Sequence, residues 1–150
     1  MRVSDVLNEK GRAVVTIKPS NTAAELSLLL RERRIGAAIV SSDGETIDGV
    51  ISERDLAYSL CARGADLHAL PVSELMTRQV ITCQPHDSVG HVVSTMRARN
   101  IRHVPVVVDG RIAGMLSIRD MLNVRVDELQ RQAAELRSFA TLTQPVLEDR

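Results

Sequence analysis

The strongest constraint on this chain is that it contains one unit twice. Val14-Val15-Thr16-Ile17-Lys18-Pro19 is answered by Val80-Ile81-Thr82-Cys83-Gln84-Pro85. Asp43-Gly44 is answered by Asp109-Gly110, and Gly49-Val50-Ile51-Ser52-Glu53-Arg54-Asp55 by Gly114-Met115-Leu116-Ser117-Ile118-Arg119-Asp120. Thr16 and Thr82 lie 66 positions apart, as do Pro19 and Pro85, while the Ser and Asp pairs lie 65 apart. The first copy therefore carries one extra residue, near Glu45-Thr46. A half of about 65 residues buries little surface alone and is marginal. Two halves that share a core and form two related sites between them are the expected outcome.

The 150 residues suit one compact unit, and 44% of them are apolar, enough for an interior. Lys and Arg number 19, as do Asp and Glu, so the formal net charge is zero. That balance excludes a general binder of nucleic acid or of anionic membrane. One Tyr, one Phe and no Trp leave no aromatic platform for stacking bases. A base held here must sit between aliphatic side chains. Neither a signal peptide nor an apolar run of roughly 20 residues is visible. The chain is read as cytoplasmic and reduced, with Cys61 and Cys83 as buried thiols.

Each copy reads β-α-β-β-α. In the first, Val14 to Ile17 is a strand, and Asn21 or Thr22 caps a helix carrying Ala24, Leu26, Leu29 and Leu30. Gly36 breaks that helix, Ala37 to Val40 is a buried strand, and Ile47 to Ile51 returns beyond Asp43-Gly44. Ser52 opens a second helix that stops near Gly64. The second copy has a strand at Val80 to Thr82 and a helix from about Ser88 to Arg99 with Val89, Val92, Val93 and Met96 inward. Strands His103 to Val108 and Ile112 to Leu116 and a helix from Ser117 complete it. A lead-in recurs as well: Val3-Ser4-Asp5-Val6-Leu7 resembles Val72-Ser73-Glu74-Leu75-Met76. The boundaries read from this are 1–61, a linker at 62–71, 72–123, and a C-terminal helix and tail at 124–150. In that last segment Val126, Leu129, Ala133, Leu136 and Ala140 form an a/d seam of about two heptads. It packs either on its own domain or on a twin subunit.

Gly-x-x-Ser-x-x-Asp occurs at Gly49, Ser52 and Asp55 and again at Gly114, Ser117 and Asp120. Ser with an acidic residue three positions on is a capping box. The same helix N-terminus offers free N–H groups, and its Asp can accept hydrogen bonds from vicinal hydroxyls such as those of a ribose. The two readings are compatible. Arg102 and His103 stand where a loop enters a buried strand; they suit phosphate oxygens or are plain exposed loop residues. Gly36 and Ala37 occupy the matching place in the first copy, so the two sites are expected to hold phosphate unequally. Arg54 and Arg119 can compensate or form surface salt bridges. Thr16 and Thr82 can meet a ribose or base edge, or simply reflect β-propensity. No nucleophile elbow, metal-binding pair or phosphate-cradling glycine loop is present.

The doubled unit, with Gly-x-x-Ser-x-x-Asp and Ile101-Arg102-His103-Val104-Pro105-Val106-Val107, resembles a tandem pair of CBS domains (a Bateman module) over about residues 1 to 123. The resemblance implies an α/β (α+β) fold of two β-α-β-β-α repeats around a pseudo-twofold axis, plus the C-terminal helix. It implies clefts that bind adenosine-containing ligands and a disc-like homodimer. Carried over by residue, Asp55 and Asp120 would hold ribose, with Ser52, Ser117, Thr16 and Thr82 beside it. Arg102, His103, Arg54 and Arg119 would face phosphate. Ile17, Cys83, Ile39, Val50, Val106 and Met115 would border the nucleoside or wall the adenine. Whether Thr and Asp pair within a repeat or across repeats stays open. The implied function is a non-catalytic sensor of AMP, ADP, ATP or NAD(H), with AMP or NAD(H) favoured, no catalytic cofactor and an unidentified regulated protein as partner. The alternative is a homo-oligomerising docking protein with vestigial clefts.

Overall fold

The computed structural model describes residues 1–143; residues 144–150 of the expected tail lie outside the described residues. The element order is α1 (Val3–Lys10), β1 (Thr16–Ile17), α2 (Ala23–Arg33), β2 (Ala37–Val40), β3 (Gly49–Ser52) and α3 (Glu53–Arg63). A 3-10 turn (Gly64–Ala69) leads into α4 (Val72–Leu75), α5 (Val89–Arg99), β4 (His103–Val108), β5 (Arg111–Ser117) and α6 (Ile118–Leu142). None of the described helices is long and apolar enough to cross a membrane.

The helices begin and end where side-chain chemistry dictates. Thr22 caps α2, and the Glu25 carboxyl, held below its ordinary pKa by the Asn21 amide (2.7 Å) and next by the Thr22 N–H (2.9 Å), reaches back to close the cap. Helix α2 ends before Gly36. Arg34 adopts the left-handed conformation (φ 53°), and the Ile35 N–H donates to the Leu30 carbonyl (3.1 Å). Asn100 (φ 52°) and Ile101 repeat this Schellman closure after α5.

The first sheet has the order β1-β2-β3, parallel then antiparallel. The second has only β4 and β5, antiparallel across the Asp109-Gly110 turn, where both residues have positive φ. The expected strand at Val80 to Thr82 is reduced to a single parallel bridge, Cys83 to Val106. Pro105 is the cause. In the first sheet the Ile39 N–H donates to the Val15 carbonyl; Pro105 holds the matching place and has no N–H to give. The strand after Asp43-Gly44 begins at Gly49 rather than Ile47. The extra residue there folds into a turn on the Asp43 carboxylate, which accepts the Glu45 and Thr46 N–H groups (2.8 Å each) and is thereby held strongly acidic.

Core membership does not follow the order of the chain. Val3, Val6 and Leu7 of α1 pack with Val92, Met96, Val104 and Leu116 of the second copy. The Val3 and Ser4 N–H groups donate to the Asp87 and Pro85 carbonyls. Val72 of α4 packs instead with Leu26, Leu30 and Ile51 of the first copy, and its N–H donates to the Asn21 carbonyl (2.7 Å). Each lead-in thus completes the interior of the other copy, which makes neither half self-sufficient. Cys83 is buried, which pushes its thiol up to about 12, whereas Cys61 is exposed on the outer face of α3, against the expectation of two buried thiols.

Candidate functional site

Two clefts lie between the copies, each starting from a helix N-terminus. At α3, Ser52 Oγ accepts the Asp55 N–H (3.4 Å) and Asp55 Oδ2 accepts the Ser52 N–H (2.7 Å). At α6, Ser117 Oγ accepts the Asp120 N–H (3.2 Å) and Asp120 Oδ2 accepts the Ser117 N–H (2.8 Å). Both capping boxes are complete and both stand in clefts. In each Asp the cap uses Oδ2, and no described group bonds to Oδ1. A carboxylate oxygen is left for a ligand at each helix start.

The glycines of the motif serve a neighbour. A Cβ on Gly49 would come within 2.6 Å of Met76 Sδ and 2.8 Å of the Thr77 carbonyl oxygen. One on Gly114 would meet Leu7 Cδ2 at 2.8 Å. The absent side chains let the crossing lead-ins lie against β3 and β5.

The Asp55 cleft encloses about 240 Å³. Its walls are Val50, Ser52 and Arg54 from the first copy, with Thr77, Val80 and Ile81 from the chain that enters the second. The Asp120 cleft, at about 520 Å³, has Met115, Ser117 and Arg119 from the second copy, with Val15, Arg31 and Arg34 from the first. Each Asp therefore faces the strand entry of the opposite repeat.

Arg102 and His103 border both clefts, so the basic pair is not confined to one site as the sequence comparison predicts. Gly36 explains the sharing. A Cβ there would stand 3.3 Å from His103 Cε1, so the small residue of the first copy leaves room for the imidazole of the second. Burial lowers the His103 pKa, Arg102 and Lys10 lower it further, and Glu53 and Asp120 pull the other way.

Lys10, at the end of α1, reaches the Asp120 carboxylate (Nζ to Oδ2, 2.7 Å) and the Met115 carbonyl (2.5 Å). Burial alone would raise the Asp120 carboxyl; Lys10 and the Ser117 N–H more than offset it and hold its pKa below the ordinary value. Arg54 donates to the Asn100 carbonyl (2.8 Å).

The other residues singled out in the sequence lie elsewhere. Thr16 is exposed on a separate groove with Asn21, Ser41 and Asp43, and Thr82 is exposed and borders neither cleft. Strand alternation turns Thr16 away while Val15 faces the Asp120 cleft. Ile17, Cys83, Ile39 and Val106 are interior residues; of the six residues expected to border the nucleoside or wall the adenine, Val50 and Met115 line the two clefts. Sequence reasoning missed Thr77, Lys10, Arg31 and Arg34. Extending the lead-in comparison one residue past Met76 would have brought in Thr77.

The CBS domain family model matches residues 3–61 and again 72–127. The chain belongs to the CBS domain family. A CBS-domain-containing protein from Agrobacterium tumefaciens has a crystal structure that superimposes with a TM-score of 0.80 at 36% identity, covering 83% of this chain and 99% of that one. A CBS domain protein from Pyrobaculum aerophilum, complexed with AMP, gives 0.69 at 32% identity, covering 80% of this chain and 89% of that one. The CBS domain pair of protein MJ0100, in complex with 5'-methylthioadenosine and S-adenosyl-L-methionine, gives 0.72 at 27% identity over 85% of this chain and 98% of that one. Among curated relatives, a protein from Methanopyrus kandleri is 30% identical over 83% of this CBS pair, which spans 64% of that relative's length. The pair spans 24% of several relatives from Arabidopsis thaliana. Among the described residues, no group of three or more His, Cys, Asp or Glu is placed to hold a metal ion.

Proposed function

We propose that this CBS pair is a non-catalytic regulatory module that binds adenosine-containing ligands in its two clefts and transmits their occupancy through α6. The carrying observation is the pair of helix-capping carboxylates, each with Oδ1 unclaimed inside a cleft lined by aliphatic and basic side chains. Asp55 and Asp120 would take ribose hydroxyls, with Ser52, Ser117 and Thr77 beside them. Val50, Val80 and Ile81 would hold one adenine, and Val15 and Met115 the other. The AMP complex and the methylthioadenosine and S-adenosylmethionine complex of the similar CBS proteins support this ligand class.

Transmission follows from the length of α6. The helix that starts at the Asp120 cap runs 25 residues, roughly 37 Å at 1.5 Å per residue. A ligand shifts a two-state equilibrium only by its differential affinity, and a tilt of this helix moves everything beyond it. That distal part is apolar and uncovered: Val126, Leu129 and Leu136 are 48–69% exposed at seam positions. The seam therefore does not pack on its own domain. This favours, as a second reading compatible with the first, that α6 joins two copies of the chain.

A thermal-shift panel with AMP, ADP, ATP, NAD+, NADH, S-adenosylmethionine and 5'-methylthioadenosine tests the first reading. A ligand at 100 times its Kd adds about 2.7 kcal/mol, a shift of several degrees for a protein of this size. No shift with any compound would overturn it. Sedimentation of Leu129→Glu/Leu136→Glu tests the second. A dimer that becomes monomeric supports assembly through α6, and an unchanged oligomeric state removes it.

A further inference from the structure

The two clefts share a cap, a ribose-competent carboxylate and the Arg102–His103 pair, yet they differ in charge. The Asp55 cleft is lined by two cationic side chains, Arg54 and Arg102, against two carboxylates, Glu53 and Asp55. The Asp120 cleft is lined by five, Lys10 and Arg31, Arg34, Arg102 and Arg119, against Glu53 and Asp120. Lys10 is committed to Asp120. The four guanidinium groups that remain make no described hydrogen bond or ion pair from their side chains. They come from the last turn of α2, its left-handed cap, the entry to β4 and the first turn of α6. Like charges converging from separate elements repel one another unless an anion lies between them. A guanidinium fork is matched to phosphate oxygens, and this cleft is the larger of the two.

Resting on the adenosine-ligand reading above, we propose that the Asp120 cleft is the polyphosphate site of the pair, taking a nucleoside di- or triphosphate or a dinucleotide diphosphate. The Asp55 cleft, with its charges balanced, takes an adenosine derivative without phosphate. Arg102, bordering both, is drawn toward the phosphates when the Asp120 cleft fills. Occupancy of that cleft by a polyphosphate therefore disfavours a second phosphate-bearing ligand in the other.

Calorimetric titration of the full chain with ATP, AMP and 5'-methylthioadenosine tests this, with wild type, Arg31→Ala/Arg34→Gly, Asp55→Ala and Asp120→Ala. Arg31 is exposed, and glycine relieves the left-handed residue 34, so the double variant keeps its fold; circular dichroism checks that. The expected result is a wild-type preference for ATP over methylthioadenosine that falls on the order of tenfold or more in the double variant. ATP binding falls in Asp120→Ala, methylthioadenosine binding falls in Asp55→Ala, and added salt weakens ATP more than methylthioadenosine. A preference unchanged in the double variant, or ATP binding that depends on Asp55 and not on Asp120, overturns the assignment while leaving an adenosine-binding module intact. If none of the three compounds binds, the adenosine reading falls with it.

Discussion

The two clefts begin from the same local device and end as different sites, and the difference lies in what reaches them from the opposite copy. At the Asp55 cleft the lead-in is the single turn α4, and backbone does the joining: the Val50 and Thr77 N–H groups each donate to the other's carbonyl (3.0 and 2.9 Å). At the Asp120 cleft the lead-in is the eight-residue α1, and a side chain does the joining: Lys10 bonds to the Met115 carbonyl at the position matching Val50, and to Asp120. The capped Ser–Asp pair is a property of seven consecutive residues and survives duplication unchanged. The contents of each cleft depend on distant segments, so those diverge first.

The largest test of this contrast is at the motif glycines. Gly49→Ala drives a methyl group into the Thr77 carbonyl, which is backbone held by two hydrogen bonds. Gly114→Ala meets only the end of the Leu7 side chain, buried though it is. Overpacking of this kind costs about 1–3 kcal/mol. Gly49→Ala is expected at or above the top of that range and Gly114→Ala near the bottom, in urea unfolding midpoints at constant m-value. Equal losses would mean that the two lead-ins are held with equal rigidity.

Next in size are the caps themselves. Asp55→Ala and Asp120→Ala each remove the carboxylate that closes a capping box in the first turn of a helix, which costs about 0.3–1 kcal/mol of stability. The Asp120 change also strands the Lys10 ammonium, partly shielded over the cleft. Asp120→Ala is therefore expected to destabilise more than Asp55→Ala, and Lys10→Met/Asp120→Ala to recover part of the difference. A double variant no more stable than Asp120→Ala would show the Lys10 contact to be energetically silent.

These contrasts mark what can be read from the chain. The duplication, the Ser52–Asp55 and Ser117–Asp120 starts and the placing of Arg102 at a cleft follow from local rules of capping and alternation. Thr77 and Lys10 escape them because the lead-ins cross to the opposite copy. From the end of the shared lead-in pattern to the strand threonine, Leu7 to Thr16 is three residues longer than Met76 to Thr82. That extra length carries Lys10 over Asp120 and has no counterpart to compare. The loss of a strand at Val80 to Thr82 was written in Pro105, on a different strand. His103 borders both clefts because Gly36, far away in sequence, leaves the space.

Smaller effects come from pH. The folded protein holds His103 below its unfolded value of about 6.5, through burial first and Arg102 next. Below about pH 6.5 the unfolded chain therefore binds more protons, and stability falls as pH drops toward the folded value and then levels off. Asp120 is lowered as well, so its contribution is full above about pH 4 and is lost as pH falls through its folded value. The two groups act in separate windows. His103→Gln is expected to flatten stability between pH 7 and 5, and Asp120→Asn to flatten it only below about pH 4, both followed by urea midpoints. A His103→Gln profile that still falls between pH 7 and 5 would place the titrating group elsewhere.

The smallest contrast lies in the two left-handed helix closures, Arg34 at the Asp120 cleft and Asn100 at the Asp55 cleft. Both residues hold φ near +50°, a region that costs an ordinary side chain about 1–2 kcal/mol and that asparagine tolerates better. Arg34→Gly is expected to stabilise the ligand-free protein by up to about 1 kcal/mol, and Asn100→Gly by a few tenths. An arginine kept at a position where glycine is easier is a strained residue at the mouth of a cleft, and strain of that kind calls for a compensating role. If Arg34→Gly raises the unfolding midpoint while weakening ATP and sparing methylthioadenosine, the strain and the polyphosphate site are the same feature. If it raises the midpoint and leaves both ligands alone, the left-handed arginine is a relic of the closure, and the charge excess of the Asp120 cleft must act through Arg31, Arg102 and Arg119.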